Sequence, residues 1–120
     1  MKILVVDDSR AMRAVLRRVL SSLDRFADAT IIEASDGIEG LATVRAESPD
    51  LVLCDWNMPE MTGIELLQAL NEAGITPVFG FVTSEPTAEM HQLARTHGAR
   101  FLVNKNITPE ALDRAVSEDA

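Results

Sequence analysis

Three aspartates follow two apolar segments of the chain at the points where those segments end. Asp7 and Asp8 come directly after residues 3–6, and Asp55 comes directly after residues 51–54. Carboxylates held close together repel, and two unit charges about 4 Å apart cost roughly 4 kcal/mol at an effective dielectric constant of 20. Such a group must take up protons or bind a cation, and oxygen ligands combined with water suit Mg²⁺ or Mn²⁺. If the two segments lie side by side, the aspartates form a divalent-metal site.

Two further polar side chains follow apolar segments in the same way. Thr83 comes after residues 77–82, and Lys105 comes after another short apolar run. A hydroxyl and an ammonium group both donate hydrogen bonds to anionic oxygen, so together they suit a phosphoryl group. Each residue alone could be solvated, and loop aspartates commonly cap helices or turns, as we expect for Asp36 and Asp50. The placement of all five residues at the ends of predicted strands favours a phosphoryl-binding site.

Five short apolar segments lack the polar–apolar alternation of a half-exposed strand. These segments are residues 3–6, 30–32, 51–54, 77–82 and 101–103. Such runs are typical of strands buried on both faces, as in a parallel sheet.

Stretches with helical periodicity separate the apolar segments. The stripe of the first helix comprises Met12, Val15, Leu16, Val19, Leu20 and Leu23. Later helices are expected to begin after Asp36-Gly37, at the cap Thr62, near Pro86-Thr87 and at the cap Thr108, and the last is expected to end near Ser117. Thr62 and Glu65 have the spacing of a capping box, and Pro109 suits a first helical position. A strand followed by a helix, five times, predicts a doubly wound α/β fold with a parallel sheet covered on both faces. We expect one domain over residues 1–120.

Composition excludes several classes of protein. The net charge of −8 and the pI of about 4.6 argue against a direct nucleic-acid contact, which requires a basic surface. Cys54 is the only cysteine, which fits a reducing compartment. The chain has no apolar run of the roughly 18 residues that suggest a membrane span, and no signal-peptide pattern. We therefore expect a cytoplasmic protein with no membrane contact.

The motifs resemble those of response-regulator receiver domains. The segment VVDDS at residues 5–9 resembles their first strand, and DWNMP at residues 55–59 is similar to the CheY-type chemotaxis regulators. The segment VTSE at residues 82–85 and Lys105 resemble the two remaining motifs. The likeness covers nearly the whole chain in consistent order. It implies a flavodoxin-like (βα)5 fold whose strands are ordered 2-1-3-4-5.

The resemblance also implies a role for each site residue. Asp55 would be the nucleophile that takes a phosphoryl group from a phosphohistidine on a sensor histidine kinase or phosphotransfer domain. Asp8 and Asp55 would ligate Mg²⁺ directly, Asp7 would act largely through water, and Asn57 would contribute its backbone carbonyl. The protein would catalyse only its own phosphorylation and dephosphorylation, and would not be an enzyme acting on other substrates.

Further implied roles concern the phosphorylated state. Thr83 and Lys105 would bind phosphoryl oxygens in the product. The side chains of Asn57 and Glu85 would tune the lifetime of the phosphate by acting on the attacking water. Trp56, beside the nucleophile, is interpreted as a packing residue that reports optically on the site.

Two positions depart from the family pattern. Asn106 follows Lys105 where the family usually has a proline after a cis peptide, and a cis bond before another residue costs about 3–4 kcal/mol. The bond is therefore either trans with a rearranged loop or cis and strained. Leu102 occupies the position of the switch aromatic, and strand alternation directs Phe101 to the other face. We hypothesise that the switch is weakened or uses a different packing element.

Four arginines lie on the first helix opposite its apolar stripe: Arg10, Arg13, Arg17 and Arg18. They form either a solvated face or a docking surface for an acidic partner, and the resemblance implies that this helix meets the phosphotransfer domain of the kinase. The likeness to chemotaxis regulators implies a flagellar motor switch as the target. A phosphate relay, a phosphate sink and a piece of a longer regulator remain alternatives. We expect a monomer.

Two alternative functions share this fold class. A pseudo-receiver would bind partners without being phosphorylated, and the altered loop after Lys105 keeps that alternative open. A Mg²⁺-dependent phosphatase with an aspartyl-phosphate intermediate would need an Asp-x-Asp pattern, whereas Asp7 and Asp8 are adjacent. A flavodoxin-like cofactor binder is disfavoured because no phosphate loop rich in Ser, Thr and Gly follows the first strand.

Overall fold

Five strands and five helices alternate along the chain in a computed structural model, which describes residues 1–117. The strands are β1 (Lys2–Val6), β2 (Thr30–Ala34), β3 (Leu51–Asp55), β4 (Val78–Thr83) and β5 (Phe101–Asn104). The helices are α1 (Arg10–Ser21), α2 (Gly37–Glu47), α3 (Gly63–Glu72), α4 (Ala88–Thr96) and α5 (Pro109–Ser117). None of these helices has the length and apolar character of a membrane span.

The strands form one parallel sheet in the order β2-β1-β3-β4-β5. This confirms the predicted fold class and strand order. The order reverses between β1 and β3, which pair with each other although β2 lies between them in the sequence. Ligands of open α/β sheets bind at such a reversal, outside the carboxyl ends of the strands.

Successive residues of each strand enter two separate cores. Leu4 and Val6 face the layer of α2, α3 and α4, while Ile3 and Val5 face the layer of α1 and α5. All four side chains are fully buried, which explains why the strand segments lack alternation. Both faces of the sheet therefore hold the strand ends in fixed positions.

The predicted helix starts are confirmed by their caps. Four capping side chains each accept a hydrogen bond from a backbone N–H of the first helical turn: Asp36, Thr62, Thr87 and Thr108. Glu65 completes the capping box with Thr62.

Some predicted bounds were wrong. Helix α1 ends at Ser21, so Leu23 lies beyond it, before a short 3₁₀ turn over Asp24–Phe26 that the periodicity did not indicate. Leu23 nevertheless packs against the same core, which is why it extends the stripe. Strand β4 begins at Val78 and excludes Pro77, which has no N–H to donate to a ladder.

Gly80 in β4 makes room for an aromatic ring of the neighbouring strand. It is paired in register with Phe101, and a Cβ at Gly80 would overlap the Cε1 and Cζ atoms of that ring. We expect Gly80→Ala to lower the free energy of unfolding by about 1–3 kcal/mol, because the ring must leave its place in the core. Urea denaturation of Gly80→Ala, Phe101→Leu and the double variant measures this effect. The losses of stability in Gly80→Ala and Phe101→Leu should not add in the double variant, because the two residues are in contact. An unchanged stability in Gly80→Ala would contradict the prediction.

Candidate functional site

Four strand ends bring the candidate residues to one edge of the sheet. Asp7 follows β1, Asp55 ends β3, Thr83 ends β4, and Lys105 follows β5 directly. Because β1 and β3 are neighbours, the aspartates meet: Asp7, Asp8 and Asp55 each offer a carboxylate oxygen, and these oxygens lie within 4.8 Å of one another.

Asp7 is fully buried, and its carboxylate is oriented by its own loop. The backbone N–H of Ser9 donates a 2.8 Å hydrogen bond to Oδ1 of Asp7. Within residues 1–117, no hydrogen bond reaches the buried Oδ2 atom of Asp7. The nearest cationic group to Oδ2 is the Lys105 ammonium, at 3.3 Å. An oxygen buried without a donor is unfavourable unless a charge compensates it, so this atom is available to a cation.

Lys105 reaches both buried aspartates. Its Nζ atom lies 3.3 Å from Oδ2 of Asp7 and 3.3 Å from Oδ1 of Asp55. No peptide bond among residues 1–117 is cis, so the Lys105–Asn106 bond is trans. The backbone N–H of Lys105 donates to the Thr83 carbonyl at 2.9 Å, which continues the pairing of β5 with β4. The departure from the family pattern at Asn106 therefore leaves the ammonium at the site.

The charges of the site shift the pKa values of two residues. Burial is the largest influence on Asp55 and, with the charge of Asp7, raises its pKa above the ordinary value of 3.8, although Lys105 and the Asn57 N–H act in the opposite direction. Burial works against the charge of Lys105, yet Asp55 and Asp7 together raise the pKa of Lys105 above 10.5. Each of the two residues therefore favours the charged form of the other.

This donor set fits a divalent cation. It consists of carboxylate oxygens from Asp7, Asp8 and Asp55, which are the ligands that Mg²⁺ prefers. The buried Oδ2 atom of Asp7 accepts no hydrogen bond within the described residues and lies 3.3 Å from the Lys105 ammonium. Asp8 is exposed, so solvent can complete the coordination of an ion. The proposed backbone ligand, Asn57, is exposed in the loop directly after β3.

The remaining predicted residues lie on β4 and β5 or in the loop that follows β4. Thr83 is buried at the end of β4, whereas Glu85 is exposed in the loop that follows it. Leu102 is buried in the core beneath α4, and Phe101 packs against the opposite core, as alternation predicted.

Aromatic residues continue from the site into the core beneath α2, α3 and α4. The ring centroids of Trp56 and Phe81 lie 4.7 Å apart, and those of Phe81 and Phe79 lie 5.1 Å apart. Phe81 and Thr83 are two residues apart on β4 and therefore face the same side of the sheet. Trp56 is half-buried beside Asp55 and is positioned to report on changes at the site.

Two residues make contacts with the site that were not predicted from the sequence. Gly63, at the start of α3, packs so closely that a Cβ there would overlap the carbonyl oxygen of Asp55. Arg13 donates from Nη1 to the carbonyl oxygen of Asp7 at 2.6 Å. Each contact involves a backbone oxygen and joins residues that lie six or more positions apart in the sequence. No local sequence pattern indicates such a contact.

The arginines of α1 do not form a uniform solvated face. Arg13 and Arg17 both bind Glu33 of β2, at 2.9 Å in each case. Burial acts to raise the pKa of Glu33, but the two guanidinium groups outweigh it and hold that pKa below 4.5. Arg10, Arg17 and Arg18 are exposed and fit the predicted solvated or docking surface, whereas Arg13 is half-buried.

Comparisons with known proteins agree with this geometry. A family model described as "Response regulator receiver domain" matches residues 3–117. The chain is 34% identical over 116 residues to the chemotaxis protein CheY1 of Helicobacter pylori, covering 93% of this chain and 90% of that protein. It is 36% identical over 118 residues to the sensor histidine kinase RcsC of Salmonella typhi, covering 98% of this chain but only 12% of that protein.

A solved structure shows the same fold. The chemotaxis protein CheY4 of Vibrio cholerae is 29% identical and superposes with a TM-score of 0.85, covering 98% of this chain and 96% of that one. The chain therefore belongs to the receiver domains of response regulators, the domains of two-component systems that interact with histidine kinases and downstream targets. Within that family it is a receiver domain of the CheY type.

Proposed function

We propose that this domain accepts a phosphoryl group on Asp55 in a Mg²⁺-dependent reaction and thereby switches the binding of a partner. The observation that carries the proposal is the position of the Lys105 ammonium, 3.3 Å from both Asp7 and Asp55, within the cluster of three carboxylates. Phosphoryl transfer depends mainly on alignment and charge neutralisation, and this edge of the sheet concentrates groups suited to both.

Each residue has a defined part in the proposed reaction. An oxygen of the Asp55 carboxylate attacks the phosphorus atom of a phosphohistidine, the P–N bond breaks, and an acyl phosphate forms on Asp55. Although its pKa is raised, Asp55 faces the Lys105 ammonium, which favours the ionised form that attacks. Asp7, Asp8, Asp55 and the backbone carbonyl of Asn57 would hold Mg²⁺. The ion, when bound, neutralises charge on the carboxylates and on the incoming phosphoryl oxygens.

The same residues would bind the product. We assign the Thr83 hydroxyl and the Lys105 ammonium to phosphoryl oxygens, because Thr83 ends β4, the neighbour of β3, and Lys105 directly follows β5, the neighbour of β4. Asn57 and Glu85, both exposed in the loops that follow β3 and β4, would tune hydrolysis of the acyl phosphate by acting on the attacking water. The domain would catalyse only these two reactions of its own aspartate.

The partners follow from the family. We propose a sensor histidine kinase or phosphotransfer domain as the phosphate source. The relatives named as chemotaxis proteins support a role in chemotaxis, with a flagellar motor switch as the downstream target. Part of the chain's similarity is to much longer proteins, including RcsC, so a place within a longer regulator is the alternative arrangement.

Incubation with acetyl phosphate tests the phosphorylation proposal. Intact-mass spectrometry of the wild type should show one added phosphoryl group in the presence of Mg²⁺ and none in the presence of EDTA. Asp55→Asn should show no adduct under either condition. If the wild type binds Mg²⁺ but gains neither a phosphoryl group nor a beryllofluoride adduct, the domain is a pseudo-receiver and the proposal is wrong.

A further inference from the structure

Arg13 connects the loop after β1, which carries Asp7 and Asp8, to the edge strand β2. Its Nη1 donates to the carbonyl oxygen of Asp7 at 2.6 Å, and its Nε donates to Oε1 of Glu33 at 2.9 Å. Its side chain is only 15% exposed, although it lies on a helix whose other arginines are largely solvated. A guanidinium group can make both bonds at once because its donors are held in one plane.

These contacts complete the fixation of Asp7. Its backbone N–H donates to the carbonyl of Ala34 at 3.1 Å, and its Oδ1 accepts from the N–H of Ser9 at 2.8 Å. Arg13 holds the remaining backbone group, the carbonyl oxygen. Since Glu33 and Ala34 are consecutive in β2, the same strand supports both sides of the Asp7 peptide. The Oδ2 atom is then the part of the residue left for a cation.

We propose that Arg13 is a positioning residue for the divalent-metal site. It holds the backbone of Asp7, and hence of the adjacent Asp8, in the orientation that aligns their carboxylates with Asp55. The inference rests on the proposed Mg²⁺ binding, and deepens it by naming a residue that controls the affinity without contacting the ion. Loss of a residue that orients metal ligands typically weakens metal affinity by about 10–100-fold.

The sign of the effect separates positioning from charge. A guanidinium near an acidic site repels a divalent cation, so removing its charge alone should strengthen Mg²⁺ binding. If Arg13 positions Asp7, its removal should weaken Mg²⁺ binding instead. The two accounts therefore predict opposite changes for the same substitution.

Arg17 provides a matched control on the same helix. It binds the same Glu33 carboxylate, through Nε at 3.0 Å and Nη2 at 2.9 Å. Its backbone contact, however, is with the carbonyl oxygen of Ile31, not with that of Asp7. Arg17→Ala thus removes a guanidinium and a bond to Glu33 while leaving the contact to Asp7 in place.

The test is a Mg²⁺ titration of folded protein at constant ionic strength, followed by Trp56 fluorescence and by calorimetry. Arg13→Ala should weaken Mg²⁺ binding by about 10-fold, the lower end for ligand-orienting residues. Arg17→Ala should bind Mg²⁺ as tightly as the wild type or slightly more tightly. Arg13→Lys keeps the charge but cannot span both acceptors, so its affinity should fall between those of Arg13→Ala and the wild type.

The outcomes distinguish this inference from the proposed function. Wild-type affinity in both Arg13→Ala and Arg13→Lys would overturn the positioning role, and so would equal weakening in Arg17→Ala. If Arg13→Ala does not fold, the Mg²⁺ affinity of Arg13→Lys, compared with those of the wild type and Arg17→Ala, decides whether Arg13 is a positioning residue. A wild type that binds Mg²⁺ without becoming phosphorylated would refute the proposed function and leave the role of Arg13 standing. A wild type that binds no Mg²⁺ would refute both.

Discussion

Replacing Lys105 with methionine is expected to destabilise the metal-free protein by about 2–3 kcal/mol at neutral pH. The substitution leaves Asp7 and Asp55 buried and facing each other without the ammonium that lies 3.3 Å from each. Removing one partner of a fully buried ion pair destabilises a protein by roughly 3–5 kcal/mol. We expect the smaller loss of about 2–3 kcal/mol here because the Lys105 side chain is 23% exposed. Urea denaturation in EDTA measures the difference.

The pH dependence of this loss has a definite sign. The pKa of Asp55 is raised in the folded state, so its ionisation lowers stability as the pH rises above the ordinary value of 3.8. Without Lys105 that pKa rises further, and the cost at neutral pH grows. The pKa of Lys105 is raised above 10.5, so its contribution is present below that pH and is lost above it. The difference in the free energy of unfolding between the wild type and Lys105→Met should therefore be largest near neutral pH. It should become smaller in acid and in strong alkali.

Two controls separate this effect from a loss of side-chain packing. Lys2 forms an exposed ion pair with Glu47, at 3.1 Å, and Lys2→Met should change stability by less than about 1 kcal/mol. Saturating Mg²⁺ should stabilise Lys105→Met more than the wild type, because the ion replaces the missing positive charge. A loss that is the same at pH 4 and pH 7, and unaffected by Mg²⁺, would contradict the electrostatic explanation.

Local patterns in the sequence were sufficient to predict most of the fold. Unalternating apolar segments identified the five strands, although only the central strands β1, β3 and β4 are largely buried on both faces. The capping residues Thr62 and Thr108 located helix starts. Strand order depended on the family resemblance, because several orders bury the same segments equally well. The end of α1 was predicted wrongly because Leu23, which lies beyond the helix, packs against the same core and so continues the apolar stripe.

The candidate site was predictable only as far as strand ends determine position. Asp7, Asp55 and Lys105 could be placed at one edge because parallel strands share their carboxyl ends. The sequence left open whether Lys105 reaches that edge without proline after it, and the trans peptide and two 3.3 Å contacts answer this. The Arg13 contact depends on a non-local backbone oxygen and on the register of β2 against β1, which residue types do not reveal.

Gly63→Ala is expected to damage stability and the site together. Gly63 begins α3, and its N–H donates to the carbonyl of Trp56 at 3.1 Å. A Cβ there would overlap the carbonyl oxygen of Asp55 and lie 2.7 Å from Cε1 of Phe81. A ring can shift, but the Asp55 carbonyl belongs to the central strand and cannot move without moving its carboxylate. We expect a loss of about 1–3 kcal/mol in the free energy of unfolding, typical of overpacking.

Gly74, just beyond the other end of α3, is the matched control. It has a φ of 71°, and a Cβ there would meet no atom within 4 Å, so alanine introduces backbone strain without a collision. Gly74→Ala should cost about 1 kcal/mol and leave the Trp56 spectrum and Mg²⁺ affinity unchanged. Gly63→Ala should shift that spectrum and weaken Mg²⁺ binding in the folded protein. If both variants lose stability but keep wild-type Mg²⁺ affinity, the start of α3 supports the fold without fixing the position of Asp55.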